Sequence, residues 1–371
     1  MLYKSWFIVK CKSAFVEGMK LSDICDVYSG YAFKTFNDLG HGVPVIKISN
    51  LLPDGSMDLI NCLYTTENIK EKFYSKKSDI YIALSGATTG KISIMDKDNT
   101  FAINQRVGIV RNRSTISNEY LKYFLMSKSN RILEEASGCA QPNISPKQIA
   151  NYEVPKCSDA EMGKIVSELR EIDKIKNTHQ KQLELLDELV KARFVEMFGE
   201  IEDCDKWESK IWNEVVTIKN GRDYKKVLVS DGGYPVVGTG GEIARASKYL
   251  CPENTIVVGR KGSINNPMLM KEKFWNVDTA FGVIPNSDYL HYQYFYCFCK
   301  FYNFMKLNKA TTLPSTTKAD LLKIRINIPP LELQNQFASF VQEIDKSRSR
   351  IQKSLEASQE LFDSLMQEYF G

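Results

Sequence analysis

The glycine-rich turn Gly86–Lys91, with the letters GATTGK, has residue types that could hold a phosphate group. In the nucleotide-binding motif GxxxxGK the glycines are further apart, and a Ser or Thr follows the lysine. Here Gly86 and Gly90 are one residue too close, and Ile92 follows the lysine. A second turn, Gly259–Ser263, lacks a lysine after its second glycine. The turns therefore do not predict nucleotide binding, and their hydroxyls, backbone N–H groups and cations suit contacts with a nucleic acid instead.

Asn104, Gln105 and Arg106 form a second polar group, with apolar residues on both sides. Asn and Gln can pair with adenine through two hydrogen bonds, and Arg with guanine. An alignment that places Gly108 on Gly282 puts this group opposite Asp278, Thr279 and Ala280. The apolar residues around the group are retained while the polar residues differ, which favours two modules that recognise different base sequences. The alternative is that these residues only cap the edge of a strand.

Residues suited to catalysis or metal binding are sparse. The chain has 3 His and 9 Cys, and the cysteines are scattered singly except for Cys297 and Cys299. Scattered cysteines without a CxxC pair are typical of a reduced compartment and do not predict a zinc site. The sequence has no NPPY or DPPF motif for methylating an exocyclic amine and no glycine-rich loop for a methyl donor. We therefore predict that the chain is not an enzyme and binds no cofactor or metal.

The segments that carry these polar residues occur twice in the same order. The matched pairs are Leu21–Phe33 with Trp212–Tyr224, Gly42–Asn50 with Gly233–Gly241, Asp79–Ile94 with Asn254–Leu269, Phe101–Asn112 with Trp275–Asn286, and Gly138–Pro155 with Ala310–Pro330. Gly30 and Gly221 close the first pair and predict helix C-caps. Residues 51–79 are about 17 residues longer than their counterpart, which predicts a loop that carries specificity.

A long helical pattern follows each copy. Glu161–Gly199 recurs at the C-terminal end after a shift of 172 positions, and Phe198-Gly199 falls on Phe370-Gly371. Apolar residues recur at threes and fours, which predicts two long helices that bury each other as an antiparallel coiled coil. The predicted seam consists of Ile165, Leu169, Ile172, Leu183, Leu186, Val190, Phe337, Val341, Ile344, Ile351, Leu355 and Phe362. Two helices that pack on separate domains are the alternative.

These patterns divide the 371 residues into two modules (1–156 and 208–330), two long helices (157–199 and 331–371) and a polar linker (200–207). The first module has 20 basic and 15 acidic residues and the second has 17 and 10, whereas both helices are slightly acidic. An excess of basic residues on the modules is typical of surfaces that meet a polyanion, although ordinary scatter could also produce it. The sequence shows no signal-peptide core and no membrane-spanning run, so we expect a cytoplasmic protein that does not enter a membrane.

The repeated order of module and helix resembles the specificity subunit of type I restriction-modification systems. The resemblance rests on the helices ending in Phe-Gly, the turn SGATTGKI, the letters INQ, and the segment AQPNIS before the first long helix, and it covers essentially the whole chain. It implies an α+β fold, in which two mixed α/β target-recognition domains are joined by two long antiparallel coiled-coil helices with pseudo-two-fold duplication. Each domain would read one half of a bipartite double-stranded DNA site. The second module has Asp278-Thr279-Ala280 where the family pattern expects INQ.

The resemblance also implies partners: methyltransferase (modification) subunits and restriction or translocase subunits docked on the helices. S-adenosylmethionine, ATP and Mg would then belong to those subunits. Acidic helix residues are candidate docking surfaces, although a solvated helix face explains them equally well. A free-standing tandem-module scaffold or nucleic-acid-binding protein, and an enzyme of unrecognised type, are the alternative functions.

We expect the DNA-facing residues to be the polar side chains of the loops. In the first module these are Ser85, Thr88, Thr89, Lys91, Asn104, Gln105, Arg106, Gln141 and Asn143. In the second they are Arg222, Lys225, Lys226, Arg260, Lys261, Ser263, Asn265 and Thr279. Two such modules on a strut longer than one duplex turn of ~34 Å would read two DNA segments at a fixed separation.

Overall fold

The computed structural model describes residues 18–95, 100–136, 142–201, 206–308 and 314–371. They form two compact units. The first unit consists of the described part of Met1–His179 together with Ser354–Gly371, and the second consists of the described part of Gln180–Lys353. Each unit therefore contains one module and a part of each long helix.

The first module is built from short strands and helices. Its strands are β1 (Met19–Lys20), β2 (Cys25–Ser29), β3 (Val43–Ile46), β4 (Leu63–Thr65), β5 (Ile80–Ala83), β6 (Ile92–Ile94), β7 (Ala102–Ile103), β8 (Val107–Asn112) and β9 (Glu153–Val154), and its helices are α1 (Leu21–Ile24), α2 (Asn118–Ser127), α3 (Ser129–Ala136) and α4 (Pro146–Ala150). An antiparallel sheet has the order β2-β8-β5-β6. A second sheet has the order β4-β3-β7, in which β3 and β7 are parallel. The small pair β1–β9 closes the module.

The first long helix, α5 (Asp159–Phe198), leads to the second module. The strands there are β10 (Ser209–Ile211), β11 (Val216–Asn220), β12 (Leu228–Val229), β13 (Tyr234–Gly238), β14 (Gly241–Ala246), β15 (Thr255–Gly259), β16 (Met268–Met270), β17 (Trp275–Asn276), β18 (Ala280–Pro285) and β19 (Arg325–Asn327), and the helices are α6 (Trp212–Val215), α7 (Tyr292–Phe301) and α8 (Lys318–Leu321). The last helix is α9 (Leu331–Phe370). The sheets have the orders β11-β18-β15-β16 and β12-β14-β13-β17, and β13 and β17 are parallel. The duplication predicted from the sequence is thus a duplication of sheet topology.

Gly30 and Gly221 lie in the same place in the two modules, but they are not helix C-caps. Each follows a strand, β2 or β11. A Cβ atom on Gly30 would lie 2.3 Å from the carbonyl oxygen of Ile103, and one on Gly221 would lie 1.7 Å from that of Val277. The sequence prediction was therefore wrong about the helix: close approach of two backbones, not a left-handed turn, requires these glycines.

The two modules differ most in one connection, which runs from β3 to β5 in the first module and from β13 to β15 in the second. The connection from β3 to β5 contains 33 residues (47–79), and that from β13 to β15 contains 16 residues (239–254). In the first module it includes β4 and two short 3-10 helices, Ile48–Asn50 and Glu71–Phe73. In the second it is the hairpin strand β14 with short turns. The long insertion predicted from the sequence is present.

Within each unit the two long helices run antiparallel. In the first unit the hydroxyl of Tyr369, near the end of α9, donates to Glu168, near the start of α5. In the second unit the rings of Phe194, near the end of α5, and Phe337, near the start of α9, are 5.6 Å apart. The expected antiparallel helix pair is confirmed inside each unit.

The predicted seam residues differ in burial along the helices. Leu169, Ile172, Val190, Phe337, Val341 and Phe362 are buried, whereas Ile165, Leu183, Leu186, Ile344, Ile351 and Leu355 are half-buried. The buried members also pack against the core of a module, since Leu169 and Phe362 belong to one cluster with the helix α2 residues, and Val190 and Phe337 to another with the α7 residues. The alternative of helices that pack on the domains is therefore realised together with helix pairing.

The Phe-Gly ends of the repeat anchor the helices. Phe198 is buried against Tyr294 in the second unit, and Phe370 is buried against Tyr120 in the first. Gly199 has φ +87°, which ends α5 in the conformation that glycine adopts readily. Within the described ranges, no helix combines the length and hydrophobicity needed to cross a membrane.

Candidate nucleic-acid interface

Three segments of the first module meet beyond the ends of β5 and β7. The Leu84 N–H donates to the Arg106 carbonyl oxygen at 2.9 Å, and the Ile144 N–H donates to the Leu84 carbonyl oxygen at 2.9 Å. The Gly86 N–H reaches the Pro142 carbonyl oxygen at 3.2 Å. We call these segments, residues 84–91, 104–107 and 142–146, the first loop edge. They bring together turns that are far apart in the sequence.

The second module repeats these bonds with different side chains. The Arg260 N–H donates to the Thr279 carbonyl oxygen at 2.8 Å, and the Thr316 N–H donates to the Arg260 carbonyl oxygen at 3.0 Å. The Gly262 N–H reaches the Pro314 carbonyl oxygen at 2.9 Å. Residues 260–263, 277–280 and 314–318 therefore form the second loop edge, which is equivalent to the first.

The hydrogen bonds also correct the alignment of the turn that contains Asn104, Gln105 and Arg106, which we call the polar turn. Tyr31 N–H donates to the Ile103 carbonyl oxygen (2.7 Å), as Arg222 N–H donates to that of Asn276 (2.9 Å). Ile103 is thus equivalent to Asn276, and the turns that follow are closed by Val107 and Ala280, whose N–H groups donate to the carbonyl oxygens of residues 104 and 277 at 2.9 Å each.

It follows that Asn104, Gln105 and Arg106 are equivalent to Val277, Asp278 and Thr279. The sequence alignment on Gly108 and Gly282 was wrong by one residue. The two glycines answer different steric demands, because a Cβ on Gly108 would meet the side chain of Leu84 (2.9 Å) and one on Gly282 would meet that of Cys251 (2.3 Å). The tip of the turn is Gln105-Arg106 in the first module and Asp278-Thr279 in the second; of these four residues only Thr279 is half-buried.

The predicted DNA-facing residues of the first module separate by exposure. Gln105, Arg106 and Asn143 are exposed, Ser85, Thr88 and Lys91 are half-buried, and Thr89 and Asn104 are buried. The Thr89 hydroxyl donates to the Gly86 carbonyl oxygen at 2.7 Å, and the Asn104 side-chain oxygen accepts the Arg106 N–H at 3.2 Å. These two side chains hold the turns that present the others. Gln141 lies outside the described residues.

The predicted residues of the second module are mostly exposed. Arg260, Lys261, Ser263, Asn265, Arg222, Lys225 and Lys226 are exposed, and Thr279 is half-buried. The Asn265 side-chain oxygen accepts the Phe304 N–H at 2.8 Å, so part of its capacity is used within the fold. Arg222 lies beside the polar turn through its bond to Asn276, and Lys225 and Lys226 begin a 3-10 helix that ends at Val227.

A cleft of about 350 Å³ lies at the second loop edge. It is lined by Asn220, Arg260, Lys261, Phe281, Ser315, Thr316, Thr317 and Lys318. Among the described residues that line it there are three cations and no carboxylate. Sequence reasoning found Arg260 and Lys261 but missed the other members. Thr317 caps α8 by accepting the Asp320 N–H at 3.1 Å, and Lys318 is the first residue of that helix. The cap in the sequence could therefore have pointed to Lys318.

The cations of the cleft are held by the fold. The Arg260 guanidinium lies 5.9 Å from the ring centre of Phe281, and one of its N–H groups donates to the Asp278 carbonyl oxygen at 3.3 Å. The Lys318 ammonium donates to the Ile218 carbonyl oxygen at 2.9 Å. A guanidinium has five N–H donors and an ammonium has three, so both groups retain donors for a ligand.

A buried ion pair holds the end of the insertion in the first module. The Arg111 guanidinium donates to both carboxylate oxygens of Asp79, at 2.9 and 2.7 Å, and to the Tyr74 carbonyl oxygen at 2.9 Å. The side chains are 15% and 2% exposed. The hydrogen bond to Asp79 raises the pKa of Arg111. Such geometry fixes the insertion against β8.

Comparison with known families agrees with this architecture. The sequence profile of the "Type I restriction modification DNA specificity domain" matches residues 16–186 and 204–359, one match for each module with its adjoining helix. The chain belongs to this specificity-domain family. The two specificity domains found by the profile coincide with the duplicated sheets described above.

A curated relative is the "Type I restriction enzyme MjaVIII specificity subunit" of Methanocaldococcus jannaschii, which is 27% identical over 185 residues. The matched region covers 47% of this chain and 43% of the relative, so the chain spans less than half of the relative's length in that alignment.

Two solved structures share the fold of these specificity domains over nearly their full length. The type I restriction-modification S subunit from M. genitalium has a TM-score of 0.59 at 17% identity, and 98% of each chain is covered. A chain solved in work on complex assembly and conformational transition of the type I R-M system has a TM-score of 0.55 at 14% identity, with 95% of this chain and 96% of the other covered. At these identities the likeness concerns the fold.

Proposed function

We propose that this chain is the DNA-recognising specificity subunit of a type I restriction-modification system, and that each module reads one half of a bipartite double-stranded DNA site. The observation that carries the proposal is the pair of equivalent loop edges, each in its own specificity domain. The two edges have the same backbone hydrogen bonds but different exposed side chains. The same backbone arrangement with different exposed side chains suits the recognition of two different half-sites.

The long helices are proposed to set the separation of the half-sites and to dock the partners. In support, α5 and α9 contain 40 residues each, and at about 1.5 Å per residue each is about 60 Å long. Their exposed faces carry acidic residues such as Glu184, Glu188, Glu356 and Glu360. We propose methyltransferase and restriction or translocase subunits as the partners.

Catalysis is proposed to belong to those partners, together with their S-adenosylmethionine, ATP and Mg. In support, the sequence lacks the methyl-transfer and ATPase motifs, and the exposed loop edges carry amides, hydroxyls and cations that suit binding. This chain would supply the sequence specificity of the complex and take no part in the chemical steps.

Mapping of methylated adenines in the native genome tests the proposal. Single-molecule sequencing of the parent strain should show a split motif with an unspecified spacer. Deletion of the gene for this chain should abolish methylation at that motif, and expression of the gene in the deletion strain should restore it. Unchanged methylation after deletion would show that the chain does not direct the modification enzyme.

Helix length tests the proposed spacer role. Inserting seven residues at matched places in α5 and α9 adds two helical turns, or about 10 Å, which equals about three base pairs of duplex. We expect the same half-sites with a longer spacer, or loss of methylation. A matched control replaces seven exposed helix residues without changing the length. If the lengthened protein kept both half-sites and the original spacer, the helices would not set the spacing.

A further inference from the structure

The charge of the two loop edges differs at equivalent positions. Arg260, Lys261 and Lys318 of the second module stand where the first has Leu84, Ser85 and Pro146, as the shared backbone bonds of both edges establish. The first edge carries its exposed cation, Arg106, at the tip of the polar turn, where the second has Thr279.

The difference is built into the packing below the edges. In the first module Leu84 is only 4% exposed and packs where Gly108 has no side chain. The strand pairing makes Phe281 the equivalent of Gly108, since they lie opposite Asn220 and Ser29 in the two sheets. Phe281 therefore carries a ring where Gly108 has no side chain, and Arg260 lies exposed with its guanidinium 5.9 Å from the ring centre. The second module therefore carries a basic cleft where the first has an apolar contact.

We propose that the cleft of the second module binds DNA backbone phosphates and thereby contributes sequence-independent affinity. This inference rests on the function proposed above. Three cations, the Ser315 hydroxyl and the Asn220 amide surround a volume of about 350 Å³, and Asp278, the acid at the tip, does not line it. Arginine and lysine pair with phosphate through charge-assisted hydrogen bonds.

The first loop edge is proposed to contribute base discrimination instead. Its exposed residues include two amides, Gln105 and Asn143, and one cation, Arg106. Amides pair with base edges, and because they are neutral they do not add to the salt-dependent attraction to phosphates. Removal of a phosphate contact reduces the magnitude of the slope of log K against log salt by about 0.9, whereas removal of a neutral base contact leaves that slope unchanged.

Binding of the full chain to a duplex of random sequence, measured by fluorescence anisotropy across a salt series, tests this division. The double variant Arg260→Gln/Lys261→Gln should reduce the magnitude of the salt slope by about two, because two phosphate contacts are lost. The matched control Lys248→Gln/Lys273→Gln removes the same charge at exposed positions of the same module outside the cleft. It should leave the slope within a few tenths of the parent value.

The reciprocal variant Ser85→Lys places a cation at the equivalent position of the first edge and should increase the slope by about one. Circular dichroism and thermal unfolding establish that each variant is folded. A slope that is equal in the cleft variant and the parent, with DNA binding retained, overturns the cleft proposal and leaves the proposed function standing. A parent chain that binds no DNA at any salt concentration overturns both.

Discussion

Leu84 of the first module is buried beside Gly108, whereas its equivalent in the second, Arg260, is exposed over the ring of Phe281. The backbone bonds around both residues are the same, and so is the order of strands in the main sheet. The change at the loop edge is therefore coupled to a change in the layer beneath it. At this position an exposed Arg in place of Leu84 therefore requires a change in its support as well.

The modules also differ in how much their loops depend on buried charge. The first holds its long insertion with the Asp79–Arg111 pair, and the strand pairing places Thr255 and Ile284 at the equivalent positions of the second. A longer loop is thus accompanied by a stronger anchor. The second module has the shorter hairpin strand β14 and no ion pair at these positions, because neither Thr255 nor Ile284 carries a charge.

The largest expected effect comes from the Phe-Gly helix ends. Phe198→Ala and Phe370→Ala each remove a buried ring, and we expect each to lower the free energy of unfolding of its unit by about 3–5 kcal/mol. Hydrogen exchange followed by mass spectrometry should show lost protection in the second unit for Phe198→Ala and in the first unit for Phe370→Ala.

The exposed residues Leu189 and Leu361, which are also 172 positions apart, provide matched controls. Leu189→Ala and Leu361→Ala should change the free energy of unfolding by under about 1 kcal/mol, because both side chains are about half exposed already. Equal loss of protection in both units after either phenylalanine substitution would contradict the division into two units.

Breaking the buried ion pair of the first module should have an effect on stability close to that of the phenylalanine substitutions. Arg111→Ile leaves the Asp79 carboxylate buried without its partner and should cost about 3–5 kcal/mol in urea unfolding. The double variant Asp79→Thr/Arg111→Ile, which copies the second module, should cost clearly less than the sum of the single changes. Arg113→Ile, which breaks the half-exposed Arg113–Asp26 pair, is the control and should cost about 1 kcal/mol or less.

The sequence predicted the repeat and the long helices well, because both depend on apolar spacing. Leu169 and Val341 lie on one face of a helix wherever it packs, and the caps Ser145 and Thr317 act through neighbours only three residues away. These are local relations, and an ungapped shift of 172 positions repeats them.

The loop edges could not be assembled from the sequence in the same way. The register of Gln105 depends on a bond between Tyr31 and Ile103, which are 72 positions apart, and glycines that serve different contacts misled the alignment. The burial of Thr89 depends on its turn, and the cleft depends on Phe281 lying below Arg260. The sequence also gives no sign of which half of each long helix packs on which module.

A base-reading residue should have an intermediate effect that is confined to one half of the DNA site. Gln105→Ala should cost about 1–3 kcal/mol of binding to the cognate site and relax one base position only. Asp278→Ala, at the equivalent tip of the second module, should act only on the other half-site. Methylated-motif sequencing of strains that carry each variant measures this. Relaxation of both halves by Gln105→Ala would refute the assignment of one module to one half-site.

The smallest expected effect concerns an ion cluster in the second unit. Asp187 of α5 accepts from Lys300 at 2.8 Å and from Arg348 of α9 at 3.0 Å. Burial opposes ionisation of Asp187, but the hydrogen bonds and charges of Lys300 and Arg348 outweigh it and lower its pKa. The repeat places Gln359 at the equivalent position of the first unit. Only the second helix pair therefore gains acid-sensitive stability at this position.

A lowered carboxylate pKa stabilises the folded state above the ordinary Asp pKa of about 3.9, and this contribution disappears as the pH falls through the lower folded-state value. Because the three side chains are between one third and one half exposed, Asp187→Asn should cost under about 1 kcal/mol at pH 7. The difference between variant and parent should vanish in urea unfolding at acid pH. Glu188→Gln on the same helix is the control, and an equal cost for Asp187→Asn at neutral and acid pH would assign its effect to packing and not to charge.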